Sequence, residues 1–586
     1  MNDQSKSVPH RWLVAATFLS VAVIVTYARL RHPAFGVLGD FVFHYQFTRA
    51  YARSFSEGDW FPRWAGILSG GRGEALFTFY PPLCFLLTTL WQKLFGLDLL
   101  NALKVTAFGC FVGAQFSAYS FARLFFTRWS SVLAAVAFVL LPAYPFVALN
   151  RGLLPNALAL CFVPLALRAA HQLLNAENAN ETSSWATALF ALSVSAIIGT
   201  HVITVYLCAL GVLILLACST LRWQGLRNLV TAGLITFALT AFWLVPQLLE
   251  ISWVNVKLLA DQHHYSSYFL FAPPASDSNF HRSWAKLNEA ASYFIVLQTV
   301  LGSLLAWAVW RKAQTDAQQR LQRYCLALIA FGFFMALSLS AFFWKLLPGL
   351  SYLQFPWRWQ PLTALATGLL LAAFWENVSQ RKAFALWLTL LLLGNGFFTY
   401  FVARHPHLPL DHATVLRQFE RGDLPPASTE QLREWQTQER YDYLAYFGNQ
   451  PSYRPRGTEQ MLYPTAQNYG GLDFVQGRGE ILAQELRNQS RLFRLRSLEP
   501  VRVRLNTYAY SHWFARLDGR EQTIRVEPNS NLMLLDLPAG EHTLNFSYEV
   551  RHPLQRGARW LSAAAWLGFV LWVISLALRA HKEKGA

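Results

Sequence analysis

Apolar residues occur in repeated blocks of about 20 along most of this chain, which is the length an α-helix needs to cross a bilayer. Of the 586 residues, 54% are hydrophobic and only 14% are charged. The first block, at 12–30, is too long for a signal-peptide core, and no small-residue cleavage site follows it, so we predict a retained span. The pattern indicates an α-helical polytopic membrane protein.

The positions of the bases indicate which loops face the cytoplasm. The formal net charge is +17, and many of the bases lie in alternate short loops or at the C-terminus, which is the positive-inside pattern. Both termini are therefore predicted to be cytoplasmic. Segment 404–556 carries nearly equal numbers of acids and bases, so no strongly basic face indicates a nucleic-acid partner. The bases in the short loops and the tail are Arg123, Arg128, Arg222, Arg227, Arg311, Lys312, Arg320, Arg323, Arg381, Lys382, Arg579, Lys582 and Lys584.

These loop charges fit about twelve transmembrane helices. The apolar run "YPPLCFLLTTLWQKLFG" at 80–96 is not counted, because another span there would reverse every later loop. We predict instead a helix that lies along the outer face or dips into it. The predicted spans are 12–30, 101–122, 131–149, 153–173, 185–200, 202–219, 229–249, 291–310, 322–343, 358–376, 384–403 and 558–578.

The polar segments between the spans divide the chain into domains. A membrane domain is predicted over 1–403, with outer loops at 31–80 and 250–290. Segment 404–556 is long enough to form an extracytoplasmic β-rich domain. It alternates in the manner of strands in "VRVRLNTYAY" and "HTLNFSYEV", with turn signals at Asp518-Gly519 and Pro538-Ala539-Gly540. A final anchoring helix with a basic tail is predicted over 557–586.

The stretch "GDFVFHY" places an acid and an imidazole beside the predicted outer membrane surface. Asp40 and His44 are spaced i, i+4, so on a helix they share one face. The simple interpretation is that Asp40 caps an interfacial helix and that His44 is incidental. The same loop, however, contains many glycine and proline positions between Gly58 and Pro82, which indicates a compact folded loop rather than a linker.

Several motifs together resemble a known family. An aspartate just after the first span, the "G-x-W-x-P" element at 58–62 and the aromatic-Pro-Pro-Leu step at 80–83 resemble the polyprenol-dependent GT-C glycosyltransferases. Further stretches are similar to the bacterial YfhO-like and PTPS-related multispan membrane proteins: "LNRGLLPNALAL", "GTHVITVY", "AFWLVPQLLE", "LPGLSYLQFPWRWQPL", "HWFARLDGREQTIRV" and "LPAGEHTLNFSYEV". The resemblance covers nearly the whole chain, and the "QFPWR" run is among its most specific parts.

The resemblance implies a GT-C-like fold and a role for Asp40 as general base toward an acceptor hydroxyl. His44 would orient Asp40 or touch the donor phosphate. The leaving group is a lipid phosphate, so cations should lie near it, and Arg358 is the leading candidate. Arg151 and His201 are predicted at the same outer face and would also bind the donor phosphate.

Each of these assignments has a structural alternative. Arg358 is equally well explained as a side chain that reaches the headgroups or binds a structural carboxylate, and Arg151 and His201 as structural residues. The family often has an acid downstream of the Arg-Gly step, where this chain has Asn156. That difference leaves room for a site without activity.

Metal binding is a further question, because some GT-C enzymes use a divalent metal. Glu57, Asp59 and Glu74 could supply ligands, but "EGD" in a tight turn is better explained as turn chemistry. We therefore predict no metal ligand and assign Asp59 and Glu74 to the support of the loop. The histidines at 263, 264 and 281 match no ligand template, and their loop is predicted to be a mobile lid.

The sequence therefore predicts an integral-membrane glycosyltransferase of the bacterial cytoplasmic membrane. It would move a sugar from a polyprenyl-phosphate donor to an outer cell-envelope glycan, lipid or protein by a single inverting displacement. Two alternatives stay open: a transporter or lipid flippase, and an inactive GT-C-derived scaffold subunit. A transporter would show symmetric halves and ionisable residues near mid-span, whereas the candidates here lie at outer span ends.

Overall fold

The computed structural model describes residues 7–31, 40–150, 152–176, 181–220, 222–255, 263–277, 279–310, 315–377, 454–456, 458 and 470–585. Arg151 and the predicted span at 384–403 lie outside the described residues. Most of the first half of segment 404–556 lies outside them as well.

Helices make up the N-terminal two thirds of the described chain and its C-terminal end. A π-helical turn over Phe146–Asn150 and several 3₁₀ turns lie between the α-helices. The α-helices are α1 (Ser7–Arg31), α2 (Phe41–Ser56), α3 (Leu76–Phe79), α4 (Leu83–Phe95), α5 (Leu99–Ala122), α6 (Arg128–Leu140), α7 (Ala143–Pro145), α8 (Leu154–Leu174), α9 (Glu181–Thr200), α10 (Ile203–Cys218), α11 (Trp223–Glu250), α12 (Asn279–Trp310), α13 (Asp316–Phe334), α14 (Ala341–Leu346), α15 (Gln360–Asn377) and α16 (Pro553–Gly585).

Many of these helices are long and apolar enough to cross a membrane. Within the described residues there are 6 such helices, or up to 8 if two bent pairs are each one span. The first bent pair joins α6 to Ala143–Leu149 at 43°, and the second joins α13 to Ser338–Leu346 at 91°. The polytopic helical architecture is therefore confirmed, whereas the count of twelve spans and the orientation stay predictions.

Small side chains allow the helices of the membrane domain to pack closely. Helix α5 packs against α8, and both bury alanines completely, including Ala114 and Ala118 on α5 and Ala159 and Ala166 on α8. Without a hydrophobic driving force between helices in lipid, such close approach is what makes van der Waals packing effective. The run 80–96 contains α4, which packs against α2 and α5.

The β-rich domain is a sandwich of two antiparallel sheets, as the alternating sequence predicts. One sheet has the order β1-β4-β8-β7 and the other the order β2-β3-β9-β5-β6. The predicted turn at Asp518-Gly519 connects β5 to β6, and the one at 538–540 connects β8 to β9. The strands are β1 (Leu472–Gln476), β2 (Gly479–Leu486), β3 (Ser490–Ser497), β4 (Val501–Tyr508), β5 (Trp513–Leu517), β6 (Arg520–Gln522), β7 (Arg525–Val526), β8 (Leu532–Leu537) and β9 (Gly540–Tyr548).

The core of the sandwich continues into the first outer loop. Trp64 is fully buried, and its ring packs edge-on against Tyr510 and Trp513 of the sandwich, with centroids 5.0 and 5.5 Å away. Gly73 lies against the same indole at φ +78°, where a Cβ atom would come within 2.4 Å of the Trp64 ring. The loop and the sandwich therefore share one hydrophobic core.

Hydrogen bonds of Asn488, in the turn between β2 and β3, add to this contact. Its side-chain Nδ2 donates to the Trp64 carbonyl at 2.7 Å, and its Oδ1 accepts from the Gly66 amide at 2.7 Å. Its own amide donates to Glu57 just after α2, at 2.5 Å. The sandwich is thus bound to the loop that follows the C-terminal end of α2.

A second polar contact joins the sandwich to the membrane helices. Glu250 ends α11 and is buried, and its Oε1 accepts from His512 Nε2 at 2.7 Å and from Gln555 Nε2 of α16 at 2.5 Å. Arg63 of the first outer loop donates to the carbonyl of Phe242 in α11 at 2.8 Å. We refer to the set Asp59, Arg63, Glu250, His512 and Gln555 as the docking junction.

Candidate functional site

Asp40 stands at the entrance to α2 and is half-buried. It occupies the N-cap position, and its backbone carbonyl accepts from the His44 amide at 2.9 Å. Its side chain, however, makes no capping hydrogen bond. The simple interpretation of Asp40 as a helix cap therefore accounts for its backbone and not for its carboxylate.

His44 is buried one turn further along α2, between two distant segments. Its Nδ1 lies 3.0 Å from the Gly152 carbonyl, and its Nε2 lies 3.0 Å from the Tyr80 hydroxyl. A carbonyl can only accept, so neutral His44 carries its proton on Nδ1, and Nε2 accepts from Tyr80. Burial lowers the pKa of His44 below its ordinary value, partly opposed by the negative charge of Asp40 and by the Gly152 carbonyl.

The loop that precedes α8 is held tightly against α2. Gly152 has φ +59°, and a Cβ atom on it would come within 2.9 Å of the Phe41 Cβ. Aromatic rings lie beside His44, with the ring centroids of Phe47 and Tyr80 at 6.5 and 6.1 Å from that of the imidazole. Gly152, two residues before the start of α8, is therefore in direct contact with the Asp40–His44 turn.

His201 lies between α9 and α10 and is buried. Its Nδ1 is 3.1 Å from the Asn156 amide nitrogen and 2.8 Å from the Thr204 hydroxyl. Asn156 also donates to Thr204 at 2.8 Å. The Asn156 Nδ2 atom faces His201, so the Nδ1 atom of His201 accepts a hydrogen bond. Neutral His201 then carries its proton on Nε2, where it can be donated to a further partner.

Arg358 is buried in the 3₁₀ turn Pro356–Trp359 that leads into α15. Its Nη1 donates to the Leu353 carbonyl at 2.8 Å. Its guanidinium carbon lies 5.0 Å from the centroid of Phe355 and 5.8 Å from that of Trp357, so the cation rests on two aromatic faces. These contacts orient Arg358 inside the protein rather than toward the headgroups.

Electrostatic interactions connect these residues in series from Asp40 to Arg358. His201 lies close enough to Arg358 and to His44 to interact with both electrostatically, and His44 interacts in the same way with Asp40. The structure thus brings together four of the residues predicted from sequence: Asp40, His44, His201 and Arg358. We refer to these four as the outer cluster.

Asp59 and Glu74 lie in different surroundings. Asp59 is half-buried beside Arg63 and Arg559, and burial raises its pKa to about 6. Glu74 is completely buried, accepts from Ser69 and pairs with Arg454 at 3.7 Å; burial raises its pKa to about 7. Both acids therefore lie at contacts between the first outer loop and distant parts of the chain, Asp59 near Arg559 and Glu74 at Arg454.

The second outer loop covers the turn that carries Arg358. His263 lies 2.8 Å from the Tyr268 hydroxyl, and its ring is 5.3 Å from that of Phe355. Across the described ranges, no three His, Cys, Asp or Glu side chains converge in a way that could hold a metal ion.

Tyr80 and Thr204 were not assigned to the site from the sequence, and Asn156 was considered only as a missing acid. The spacing of "HVIT", in which Thr204 follows His201 by three residues, was an available signal for one contact. The contact between Tyr80 and His44 has no local signal, because it depends on how the end of the first outer loop folds back on α2.

The architecture is that of a multi-pass helical membrane protein with a β-sandwich bound to its outer loops. The family model described as "6-pyruvoyl-tetrahydropterin synthase related domain; membrane protein" matches residues 77–402, which is more than half of the chain. The chain therefore belongs to this PTPS-related family of membrane proteins, as its resemblance predicts. None of the curated proteins matches the chain.

Among solved structures, similar chains are found in membrane glycosyltransferases. The arabinofuranosyltransferase AftD from Mycobacteria is 17% identical, with 68% of this chain and 27% of that chain covered and a TM-score of 0.44. ArnT from Cupriavidus metallidurans, bound to undecaprenyl phosphate, is 14% identical, with 70% and 68% covered and a TM-score of 0.40.

The oligosaccharyltransferase of Archaeoglobus fulgidus is 15% identical, with 78% of this chain and 58% of that chain covered and a TM-score of 0.40. The chain thus spans about a quarter of AftD and somewhat over half of the oligosaccharyltransferase. TM-scores below 0.5 do not establish a common fold, so the GT-C-like assignment stays with the proposal that follows.

Proposed function

We propose that this protein is an integral-membrane glycosyltransferase with a GT-C-like fold, which moves a sugar from a polyprenyl-phosphate donor to an acceptor outside the cytoplasmic membrane. The observation that carries the proposal is the outer cluster. One carboxylate, two imidazoles and one guanidinium come from three distant parts of the chain and form one continuous series of electrostatic neighbours. These groups match the needs of a reaction that removes a proton and releases a phosphate.

Asp40 serves as the general base. Its carboxylate takes the proton from the acceptor hydroxyl while that oxygen attacks the anomeric carbon, and the bond from that carbon to the phosphate oxygen breaks. One displacement of this kind inverts the anomeric configuration. This role is supported by the Asp40 side chain, which makes no capping hydrogen bond to the backbone amides at the N-terminus of α2.

Arg358 and His201 serve the leaving phosphate. Charge grows on the phosphate oxygens as the bond breaks, and fixed positive groups in a buried setting stabilise it most effectively. Arg358 supplies the guanidinium charge, and His201 supplies an Nε2–H that its bonds to Asn156 and Thr204 leave as a donor. Arg151, next to Gly152, is proposed as a further phosphate ligand.

His44 orients the site instead of touching the phosphate. Its Nδ1–H is used by the Gly152 carbonyl and its Nε2 by the Tyr80 hydroxyl, so both ring nitrogens are engaged. Through these bonds it holds the start of α2 against the loop before α8. Asp59 and Glu74 support the same region from the side of the sandwich.

The remaining assignments complete the proposal. The site faces outward from the bacterial inner membrane, with both termini in the cytoplasm. The β-rich domain, 404–556, orients an acceptor that is a cell-envelope glycan, a lipid or a protein, while domain 1–403 carries the reaction and 557–586 anchors the chain. The shared core of the first outer loop and the sandwich supports this arrangement, because an acceptor held by the sandwich would lie near the loop that starts with α2.

The experiment compares cells that carry the intact gene, a deletion, and Asp40→Asn at matched expression. Surface glycans and polyprenyl-phosphate sugars are measured by mass spectrometry. We expect the deletion and Asp40→Asn to lose the same glycan while a lipid-linked sugar accumulates. If Asp40→Asn retains the glycan that the deletion loses, Asp40 is not the base, and a transporter or an inactive scaffold subunit explains the deletion better.

A further inference from the structure

The segment before Arg358 contains an unusual backbone conformation. Gln354 has φ +60° and ψ −44°, a region that residues with a side chain rarely adopt. The Phe355 amide donates back to the Leu353 carbonyl at 2.5 Å, two residues away. Together these features define a γ-turn with a positive central φ, which is the rare and strained form of that turn.

The strain arises because residue 354 is a glutamine, and a glycine at this position would adopt the same φ without strain. Gly349, five residues earlier in the same segment, has φ +75° and adopts it without the steric cost of a Cβ atom. Gln354 is buried and carries a long side chain. Strained positions of this kind persist only where the surrounding structure holds them, and they are found most often at functional sites.

The turn acts directly on Arg358. The Leu353 carbonyl that closes the γ-turn also accepts from Arg358 Nη1 at 2.8 Å. The next residue, Phe355, stacks on Trp284 at a ring distance of 5.3 Å and provides one of the two aromatic faces beneath the guanidinium. The direction of one carbonyl and the position of one ring, both set by the turn, therefore contribute to where the cation points.

We propose that the γ-turn at Gln354 positions Arg358 for an anionic ligand, and that Gln354 is a positioning residue of the site. The inference rests on the proposed function, because the ligand it implies is the phosphate of the lipid carrier. An extended conformation at Gln354 would turn the Leu353 carbonyl away, and Arg358 would lose its hydrogen bond.

The test uses the purified full-length chain, with bare undecaprenyl phosphate as the probe and thermal denaturation as the readout. Gln354→Gly keeps the turn and removes the side chain. Gln354→Val disfavours the turn, because a β-branched residue avoids positive φ. We expect the Gly variant to bind the probe as the wild type does and the Val variant to bind it at least tenfold more weakly.

Two further measurements separate positioning from general damage. In an Arg358→Met background, Gln354→Val is expected to cause no additional loss of probe binding, since the residue through which it acts is gone. Without ligand, Gln354→Gly is expected to melt higher than Gln354→Ala, because Ala retains the cost of the positive φ. If Gln354→Val does not fold, Gln354→Ala replaces it, with binding expected to fall below that of the Gly variant.

The outcomes distinguish this inference from the proposed function. If the wild type binds neither undecaprenyl phosphate nor undecaprenyl-phosphate-linked pentoses and hexoses, the proposed function fails, and the inference fails with it. If the wild type binds and the Val variant binds equally well, the positioning role alone is overturned. Equal losses in the Gly and Val variants overturn it too, because the side chain and not the turn would then be responsible.

Discussion

The outer cluster and the docking junction are two buried polar regions that both contain an acid and a histidine, yet they are built differently. In the docking junction, Glu250 is satisfied by His512 and Gln555 within the protein. In the outer cluster, His44 and His201 bond to a carbonyl, hydroxyls and an amide, which are all neutral groups. The junction pairs Glu250 internally, whereas the cluster places its acid and its cation at opposite ends of a chain of neighbours.

Under the proposed function, this difference separates a region that holds the molecule together from a region that carries the reaction. A buried charge must be compensated, and a partner inside the protein makes it structural. In the outer cluster, by contrast, the two histidines near the Arg358 guanidinium bond to neutral partners. Such an arrangement is suited to binding an anionic ligand that enters from outside the protein.

Replacement of an arginine should separate the two regions most clearly. Arg358→Met is expected to lower transfer about a hundredfold or more, since a preorganised charge on the leaving phosphate is removed. Arg63→Met, the matched change in the docking junction, is expected to lower the melting temperature and leave transfer per folded molecule unchanged. Transfer by purified variants and thermal denaturation are measured side by side. Equal transfer losses in both variants would contradict the division.

Loss of the buried histidine of the junction should affect stability. His512→Ala leaves Glu250 with Gln555 alone, and a lost hydrogen bond to a charged group costs about 1.5–3 kcal/mol in the free energy of unfolding. We expect a lower melting temperature with normal transfer. His542→Ala is the control, because His542 bonds to exposed Asp518 in the sandwich and should have little effect.

Tyr80 and His44 should behave as one unit. Tyr80→Phe removes the hydroxyl that donates to Nε2, and His44→Asn retains a donor for the Gly152 carbonyl while losing Nε2. Each change is expected to lower kcat roughly tenfold, equivalent to about 1.4 kcal/mol. The double variant should be no worse than either single one. Additive losses would show that the two residues act separately.

The smallest expected effect is a pH dependence at Asp59. Burial raises its folded-state pKa to about 6 from an ordinary value of 3.8, so the folded protein holds this proton more tightly than the unfolded chain. Its contribution to stability is present below pH 3.8 and is lost as the pH rises through about 6. Asp59→Asn should reduce the change of melting temperature with pH between pH 3.8 and about 6 and leave transfer intact. An unchanged pH profile would contradict the assigned pKa.

The membrane helices and the sandwich could be predicted because their signals are local. Apolar runs of sufficient length predict helices such as α5 and α8, and the alternation in "VRVRLNTYAY" predicts β4, whose residues are alternately buried along most of the strand. The shared core around Trp64 could not be predicted in this way, because its partners Tyr510 and Trp513 are separated from Trp64 by more than 400 residues in the sequence.

The outer cluster could be predicted in part. Asp40, His44, His201 and Arg358 lie at loop positions that the topology assigns to one face, and the resemblance added their roles. Their hydrogen-bond partners depend on long-range packing, as in the contact of His44 with Gly152, 108 residues away. The positive φ of Gln354 also has no sequence signal, since glutamine is not a residue that predicts such a turn.

The most direct test of the account compares Asp40→Asn with Asp59→Asn in a purified reaction. Lipid extract from deletion cells, which would contain the accumulated donor, is incubated with each protein and with a cell-envelope fraction of the same cells, which would supply the acceptor. Release of bare polyprenyl phosphate is followed by mass spectrometry. We expect release by the wild type and by Asp59→Asn, and a loss of at least about a hundredfold for Asp40→Asn. Release by Asp40→Asn at the wild-type rate would contradict the central claim that Asp40 is the catalytic base.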